Sequence, residues 1–317
     1  MNTIQTRDGL TISSRLIYDE FVAQQIPVSI VGTKSNLLEY TDVHQMKHLL
    51  VNSCSDKSSA TGKVIADSKT KTSRIATLLG ISIPASITCH SIDDAREFLT
   101  KHARIVIKPS RGYGGSGIST NITTDEDLLH SYKYAKNFDN RIIAQEHIIG
   151  EDVRLLVVDG RFCSAVMRRP ASITGDGTAT IEELIDIANG SASRNDSLHS
   201  SLTHIKLSAA QRHLGKTILT IPLAGRLVTV AGPANVSLGG SVHEATQLVT
   251  RGMIDDSEAI TQKLGLGICG VDMMWNQKTN KHYLIEVNAM PGLDMHNDIF
   301  SGISSDSVQK YVQWLIA

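Results

Sequence analysis

Apolar residues at Leu16, Ile17, Phe21 and Val22 recur at helical spacing, and they lead into Val28-Ser29-Ile30-Val31, a short β-branched run. The pattern predicts a helix feeding a strand. Residues 52–72 are rich in Ser, Thr and Lys. That composition predicts an exposed connection, with a helix resuming over 73–79 and ended by Gly80. Ser91-Ile92-Asp93-Asp94 sets a capping hydroxyl ahead of a helix that reaches about His102. Arg104-Ile105-Val106-Ile107-Lys108 reads as a strand, residues 125–135 as a helix, and Arg141-Ile142-Ile143-Ala144-Gln145 as another strand before the break at Gly150.

Runs 153–159 and 162–167 flank Asp159-Gly160, a pair that tolerates positive φ in a two-residue hairpin turn. Thr180-Ile181-Glu182-Glu183 is a capping box opening a helix to about Asn189. Further helices are expected over 208–219 and 255–264, the last stopped by Gly265. Two strands, 270–275 and 282–288, surround the polar turn 276–280. The fold class is therefore mixed α and β, without an internal repeat or a low-complexity tract.

Composition narrows the class. At 317 residues the chain has room for two lobes, or for one large lobe with an inserted subdomain. Thirty-one basic against 32 acidic side chains leave a formal charge of −1, so no long-range field toward nucleic acid or an anionic membrane is expected. Any polyanion should meet a local pocket. No apolar run reaches the ~18 residues of a spanning helix, and Met1-Asn2-Thr3-Ile4-Gln5-Thr6 lacks the parts of a signal peptide. A cytoplasmic address is expected. Cys54, Cys89, Cys163 and Cys269 are scattered, without a C-x-x-C, and are read as reduced thiols, not a zinc site or disulfide framework.

Chemistry concentrates in two places. Four glycines occupy the six positions from Gly112 to Gly117, directly after the strand ending at Lys108. Such a loop lets backbone N–H groups converge on phosphate oxygens, and Lys108 can set an ammonium beside the same anion. A tight structural turn would use the same glycines. A Rossmann fingerprint needs a helix straight after the loop, whereas residues 118–122 look extended; a protein kinase puts its lysine after the glycines, not before. Gly215-Lys216-Thr217 fails as a P-loop because the required earlier glycine is Ala210. Near the other end, strand alternation lets Asp272, Glu286 and Asn288 converge on one sheet face. Two acids and an amide inside apolar strands are costly to bury without a partner. Oxygen donors of this kind suit Mg²⁺, which takes a few carboxylates together with substrate phosphates; a pair of rim carboxylates facing solvent is the plainer alternative.

This order of lysine, glycine loop, hinge strand, then Asp272 and Glu286-Val287-Asn288-Ala289-Met290-Pro291-Gly292 resembles the ATP-grasp ligases. Three further blocks carry a narrower likeness: Met167-Arg168-Arg169-Pro170-Ala171 with Gly175-Asp176-Gly177, Ala234-Asn235-Val236-Ser237-Leu238-Gly239-Gly240, and Pro291-Gly292-Leu293-Asp294-Met295-His296. They are similar to the ATP-grasp half of cyanophycin synthetase and the related half of bifunctional glutathione synthetase, in register from about Ile17 to Asn297.

The resemblance implies an ATP-grasp fold with an N-terminal lobe at 1–103, a central nucleotide-clasping subdomain at 104–150 and a C-terminal catalytic lobe at 151–317. It implies an enzyme that joins a small carboxylate, an amino acid or short peptide, to an amine through an acyl phosphate, using ATP and Mg²⁺, with Mn²⁺ as a substitute. By the same likeness Lys69 and Lys108 reach the ATP phosphates, and Gly112, Gly114, Gly115, Ser116 and Gly117 cover them. Gln145, Glu146, His147 and Ile148 form the hinge whose backbone meets adenine, and Asp152 holds the ribose. Asp272, Glu286 and Asn288 are the metal ligands. Arg154, Arg168 and Asn235 join Lys108 as the catalytic set around the transferred phosphate and the substrate carboxylate.

Neither nucleic acid nor membrane is an expected partner; a homodimer is the candidate assembly. His243 and His296 are read as polar packing residues. Where the relatives carry an arginine ahead of the Asn-x-Ser-x-Gly-Gly block, this chain has Ala231, and Arg169 stands as a candidate replacement for that charge. A glutathione-synthetase-like ligase that adds glycine to a γ-glutamyl dipeptide is the alternative within enzymes, and a non-catalytic nucleotide sensor the alternative outside them.

Overall fold

The computed structural model describes residues 6–111, 116–191, 194, 202–232, 234–297 and 305–317. Helix α1 (Ile12–Ala23) buries Ile17 and Phe21 as its spacing requires. It precedes an antiparallel sheet of β1 (Val28–Gly32), β2 (Leu37–Thr41), β3 (Lys47–Val51) and the short β4 (Cys54–Ser55), in that order. The segment expected as a bare connection instead holds α2 (Ala60–Ala66), and α3 (Lys69–Leu78) starts ahead of residue 73. The serines that suggested a loop are caps: Ser59 Oγ accepts from Gly62 N–H and Ser68 Oγ from Lys71 N–H.

The central layer is a second antiparallel sheet, β5 (Ser86–Cys89), β8 (Ile142–Glu146), β6 (Ile105–Pro109) and β7 (Ser119–Ile122) in spatial order. Helices α4 (Ile92–His102) and α5 (Asp125–Lys136) cover one face. Alternation sorts its side chains cleanly. Ile87, Cys89, Ile105, Ile107, Ile142 and Ala144 pack under the helices against Phe98, Leu99, Leu128 and Tyr132. Ser86, Thr88, Val106, Lys108, Ile143 and Gln145 lie on the opposite face. Both β5 and α4 precede residue 104 in the chain, yet they share this sheet and core. The packing therefore starts the central unit at about Ser86, ahead of the boundary expected at 104.

The third sheet runs β13 (Ser241–Glu244), β10 (Arg161–Arg169), β9 (Glu151–Val158), β14 (Ile268–Asn276) and β15 (Lys281–Asn288). Its β9–β10 hairpin turns at Asp159 and Gly160 with φ of 51° and 65°, as the two-residue signal predicts. One face is apolar throughout: Val153, Leu155, Ala165, Met167, Val271, Met273 and Leu284 pack on α8 (Arg251–Leu264) and on Ala66 and Ala76 from α2 and α3. The other face is divided. Leu156, Val158 and Ile268 join the N-terminal sheet, α1 and α9 (Ser307–Ile316) in a shared core, so the first and last elements fold together. The remaining part carries charge.

Between β10 and β13 an insertion builds its own small core from β11 (Ser172–Thr174), α6 (Ile181–Asn189), α7 (Leu207–Leu214) and β12 (Leu227–Thr229). The expected helix at 208–219 stops at Leu214, because Gly215 takes a φ of 53° and a 3-10 turn follows. Likewise α8 begins at Arg251, before the expected residue 255, because Thr250 Oγ1 caps Met253 N–H. Among the described residues no helix is long and apolar enough to cross a membrane.

Candidate active site

The charged part of the third sheet faces the polar part of the central sheet, and a cavity of about 390 Å³ opens between them. That volume lies within the range of small-molecule sites. The central sheet supplies Val106, Lys108, Gln145 and the hinge 146–149; the third sheet supplies Asp152, Arg168, Asp272, Met274, Ile285 and Glu286; α3 contributes Lys69 and the insertion Asn235. Side chains far apart in sequence thus share one cleft, with apolar walls at Val106, Met274, Ile148 and Ile285 and cations and carboxylates beyond them.

Register explains the acidic cluster. Asp272 stands opposite both Arg154 on β9 and Glu286 on β15, and Asn288 stands opposite Gly270. A bulge at Ile285 lets Glu286 point to the cleft while Leu284 returns to the apolar core. Gly270 matters for its missing side chain: a Cβ there would lie 3.1 Å from Pro291 Cβ and 3.5 Å from Arg154 Cδ, where the arginine crosses β14.

Asp272 is almost fully buried and already well supplied with donors. Arg154 clamps it through Nε at 2.6 Å and Nη2 at 2.7 Å, Arg168 Nη2 donates at 3.0 Å, and Asn288 Nδ2 at 3.4 Å. Burial opposes charge on this carboxyl, but the two arginines overcome it and hold it well below the usual carboxylate range. Arg168 also donates to Asp152 Oδ1 through Nε at 2.8 Å and Nη2 at 2.6 Å. Burial pushes Asp152 up, to about 6, against the pull of Arg168. An alternating row Asp152, Arg168, Asp272, Arg154 results, in which each charge has a partner.

Several expected roles change on this geometry. Arg154 does not line the cavity; it is a buried clamp that fixes Asp272, so its expected place in the catalytic set becomes one of positioning. Asp152 lines the cavity, but its carboxylate is engaged by Arg168 instead of standing ready for a hydroxyl pair. In the hinge, Glu146 N–H donates to Ala85 O and His147 N–H to Arg104 O, so neither is available to a base. Gln145 contributes its side chain, accepting from Lys108 Nζ at 2.7 Å. Asn235 Oδ1 is taken by Ser237 N–H and Oγ, and Asn235 lines the cavity.

Gly112, Gly114 and Gly115 lie outside the described residues. Ser116 lines a neighbouring cavity between α5 and α7 instead of the cleft. Gly117 takes a φ of 73°, and a Cβ there would meet Phe138 at 2.8 Å, so both the turn and the packing require glycine. Ala231 is buried in the insertion's core and Arg169 is exposed at the cavity rim. His296 is buried with Nδ1 2.9 Å from Ser164 Oγ, and burial lowers it to about 3; His243 Nε2 lies 2.9 Å from Ser241 Oγ. Neither reaches the cleft. Val106 and Met274 escaped sequence reasoning, although each sits two residues from a singled-out one and so shares its face.

Lys69 Nζ lies 3.8 Å from Glu286 Oε2. Lys108 is fully enclosed, and burial with Lys69 nearby lowers it from 10.5 to about 8, Glu286 pulling the other way. Its proton is therefore lost as pH rises through about 8. ATP affinity, measured by calorimetry, is expected to fall across that range in the native protein and to hold in Lys108→Arg; flat behaviour in the native protein would remove Lys108 from phosphate binding. The unfolded chain keeps this proton up to 10.5, so folding stability should rise between about pH 8 and 10.5.

The donor set suits one metal type. Among the described residues no group of three or more His, Cys, Asp or Glu is placed to share an ion. Asp272, Glu286 and Asn288 offer two carboxylates and an amide instead. That fits Mg²⁺ or Mn²⁺ completed by phosphate oxygens and water, not a closed protein cage.

Comparison with known proteins agrees with this geometry. Residues 74–184 match the family of prokaryotic glutathione synthetase ATP-grasp domains. Cyanophycin synthetase of Trichormus variabilis is 31% identical over 252 residues, covering 76% of this chain and 28% of the relative. The bifunctional glutathione biosynthesis protein of Listeria innocua is 26% identical, covering 97% of this chain and 42% of its own length. The chain thus spans well under half of either relative. The crystal structure of a bifunctional glutathione synthetase from Pasteurella multocida superposes with a TM-score of 0.69 at 22% identity, over 98% of this chain and 44% of that one. The chain carries an ATP-grasp domain, with the fold of that glutathione synthetase and a sequence likeness that extends to cyanophycin synthetase.

Proposed function

We propose that this protein is an ATP-dependent ligase that joins the carboxylate of an amino acid or short peptide to an amine. The observation that carries the reading is the cleft itself, where Lys69 and Lys108 meet Asp272 and Glu286 beside an apolar slot. Phosphoryl transfer needs little covalent help from a protein; it needs reactants held in line and spread negative charge neutralised. The slot of Val106, Met274, Ile148 and Ile285 holds the base, Lys69 and Lys108 hold the phosphates, and Arg168 presents the carboxylate. Asp272, Glu286 and Asn288 would hold Mg²⁺, which supplies charge neutralisation at the phosphates. Arg168 can turn to an incoming anion because Asp272 keeps both bonds to Arg154 without it.

ATP phosphorylates the substrate carboxylate, the amine attacks the acyl phosphate, and an amide, ADP and phosphate leave. No side-chain nucleophile is required. Oxygen-18 in the substrate carboxylate must then appear in the released phosphate, because one carboxylate oxygen stays on phosphorus. A matrix of amino acids and dipeptides, with ATP, Mg²⁺ and phosphate release as readout, identifies the substrate pair. Hydroxylamine in place of the amine should trap a hydroxamate, and Arg168→Ala should suppress it more than Arg169→Ala. The reverse order transfers the substrate role to Arg169; absence of label and hydroxamate together, with a verified pair, rejects the acyl phosphate. Glycine addition to a γ-glutamyl dipeptide is the second reading, favoured by the match of residues 74–184 to glutathione synthetase domains.

A further inference from the structure

Behind the Lys108–Gln145 contact the space between the sheets continues into a second pocket of about 200 Å³. Helix α3 lines it with Lys69, Thr70, Ser73, Arg74 and Thr77. Their spacing repeats after four residues, so they form one stripe down the helix. The central sheet forms the opposite wall with Ser86 and Thr88 from β5, Ile143 and Gln145 from β8, and Lys108 from β6, and the mouth, at the exposed Thr70, Arg74, Thr77, Ser86 and Thr88, is open to solvent. The bulged Ile285 forms the rest. The lining therefore holds three cations and five hydroxyls, with no carboxylate.

Two of those hydroxyls are used locally, Ser73 donating to Lys69 O and Thr77 to Ser73 O. The guanidinium of Arg74 and the hydroxyls of Thr70, Ser86 and Thr88 make no hydrogen bond or ion pair among the described residues. Convergent donors without acceptors are the chemistry of an oxyanion site, since charged acceptors give the strongest such bonds.

We propose that this pocket is a second anion site, sized for inorganic phosphate, which draws on Lys69 and Lys108 from behind the nucleotide cleft. Both lysines line both cavities. An anion in the rear pocket therefore competes for the ammonium groups assigned to ATP, and by reciprocity ATP weakens that anion. Phosphate is also a product of the proposed ligation, so the site would act as product feedback. The pocket does not depend on catalysis, and its test is independent of the substrate search.

The test is calorimetry on the full chain. A non-hydrolysable ATP analogue with Mg²⁺ is titrated with and without saturating inorganic phosphate, ionic strength being matched with sodium chloride. In the native protein phosphate should raise the apparent Kd of the analogue about fivefold or more. Arg74→Ala should leave the phosphate-free Kd unchanged and reduce the phosphate effect to less than about twofold, and Thr88→Val should reduce it in the same direction. Equal phosphate effects in all three proteins would put the anion in the nucleotide cleft itself and overturn the proposal. So would an absent effect in the native protein, or a changed phosphate-free Kd in both variants.

Discussion

Glu286→Gln is expected to lower ADP production about a hundredfold or more at saturating ATP and Mg²⁺, while melting close to the native protein. Removing one preorganised group from a site of developing charge commonly has an effect of that size. The exchange keeps side-chain shape but removes a formal charge from the pair Asp272–Glu286 and the partner of Lys69 at 3.8 Å. Glu286 is partly exposed, with about a third of its side chain open, so the fold does not rest on it. Near-normal turnover with the verified substrate pair would exclude Glu286 from metal binding.

The second large effect concerns stability. Arg154→Met should lower the melting temperature by about 5–8 °C, because it leaves the buried carboxylate of Asp272 with Arg168 and Asn288 alone. Breaking a buried pair from one side costs about 3–5 kcal/mol, and a chain of 317 residues loses about 1.5 °C per kcal/mol. Replacing both ends, Arg154→Met with Asp272→Leu, should restore most of the loss, since no charge is then stranded. A single variant that melts within about 2 °C of native would show that Arg168 alone suffices.

These two predictions mark what could be read from the chain. Glu286 and Asn288 were legible because alternation puts residues two apart on one face, and Asp159-Gly160 because few other pairs accept positive φ twice. The clamp on Asp272 was not, since nothing local to Arg154 says which of two strands its guanidinium will cross. Ser59 and Ser68 looked like loop residues because a capping serine and a loop serine are the same letter; only the helix that follows tells them apart. The start of the central unit at Ser86 was hidden for a similar reason. Strand β5 pairs with β8, whose residues lie more than fifty positions later, a pairing that no window of local periodicity contains. The phosphate-facing stripe on α3 was found only at Lys69, because Arg74 becomes informative once Thr88 and Ser86 stand across from it.

The bulge at Ile285 has a consequence for how this chain tolerates insertions and deletions. Along β15 the stretch before Ile285 is phased to the apolar core and the stretch after it to the cleft, with one unpaired residue as the phase shift. Deleting Ile285 would restore regular pairing, Met273 with Leu284 and Asp272 with Glu286, and keep Leu284 on the core face and Glu286 and Asn288 on the cleft face, because adjacent residues of a regular strand alternate. A side-chain change at Ile285 alters the wall of two cavities, and loss of the residue removes that wall while the facing of Leu284 and Glu286 is kept. In a library of single-residue deletions across residues 281–288, loss of Ile285 should keep a melting temperature closer to native than loss of Val287, because only the latter turns Glu286 toward the apolar core.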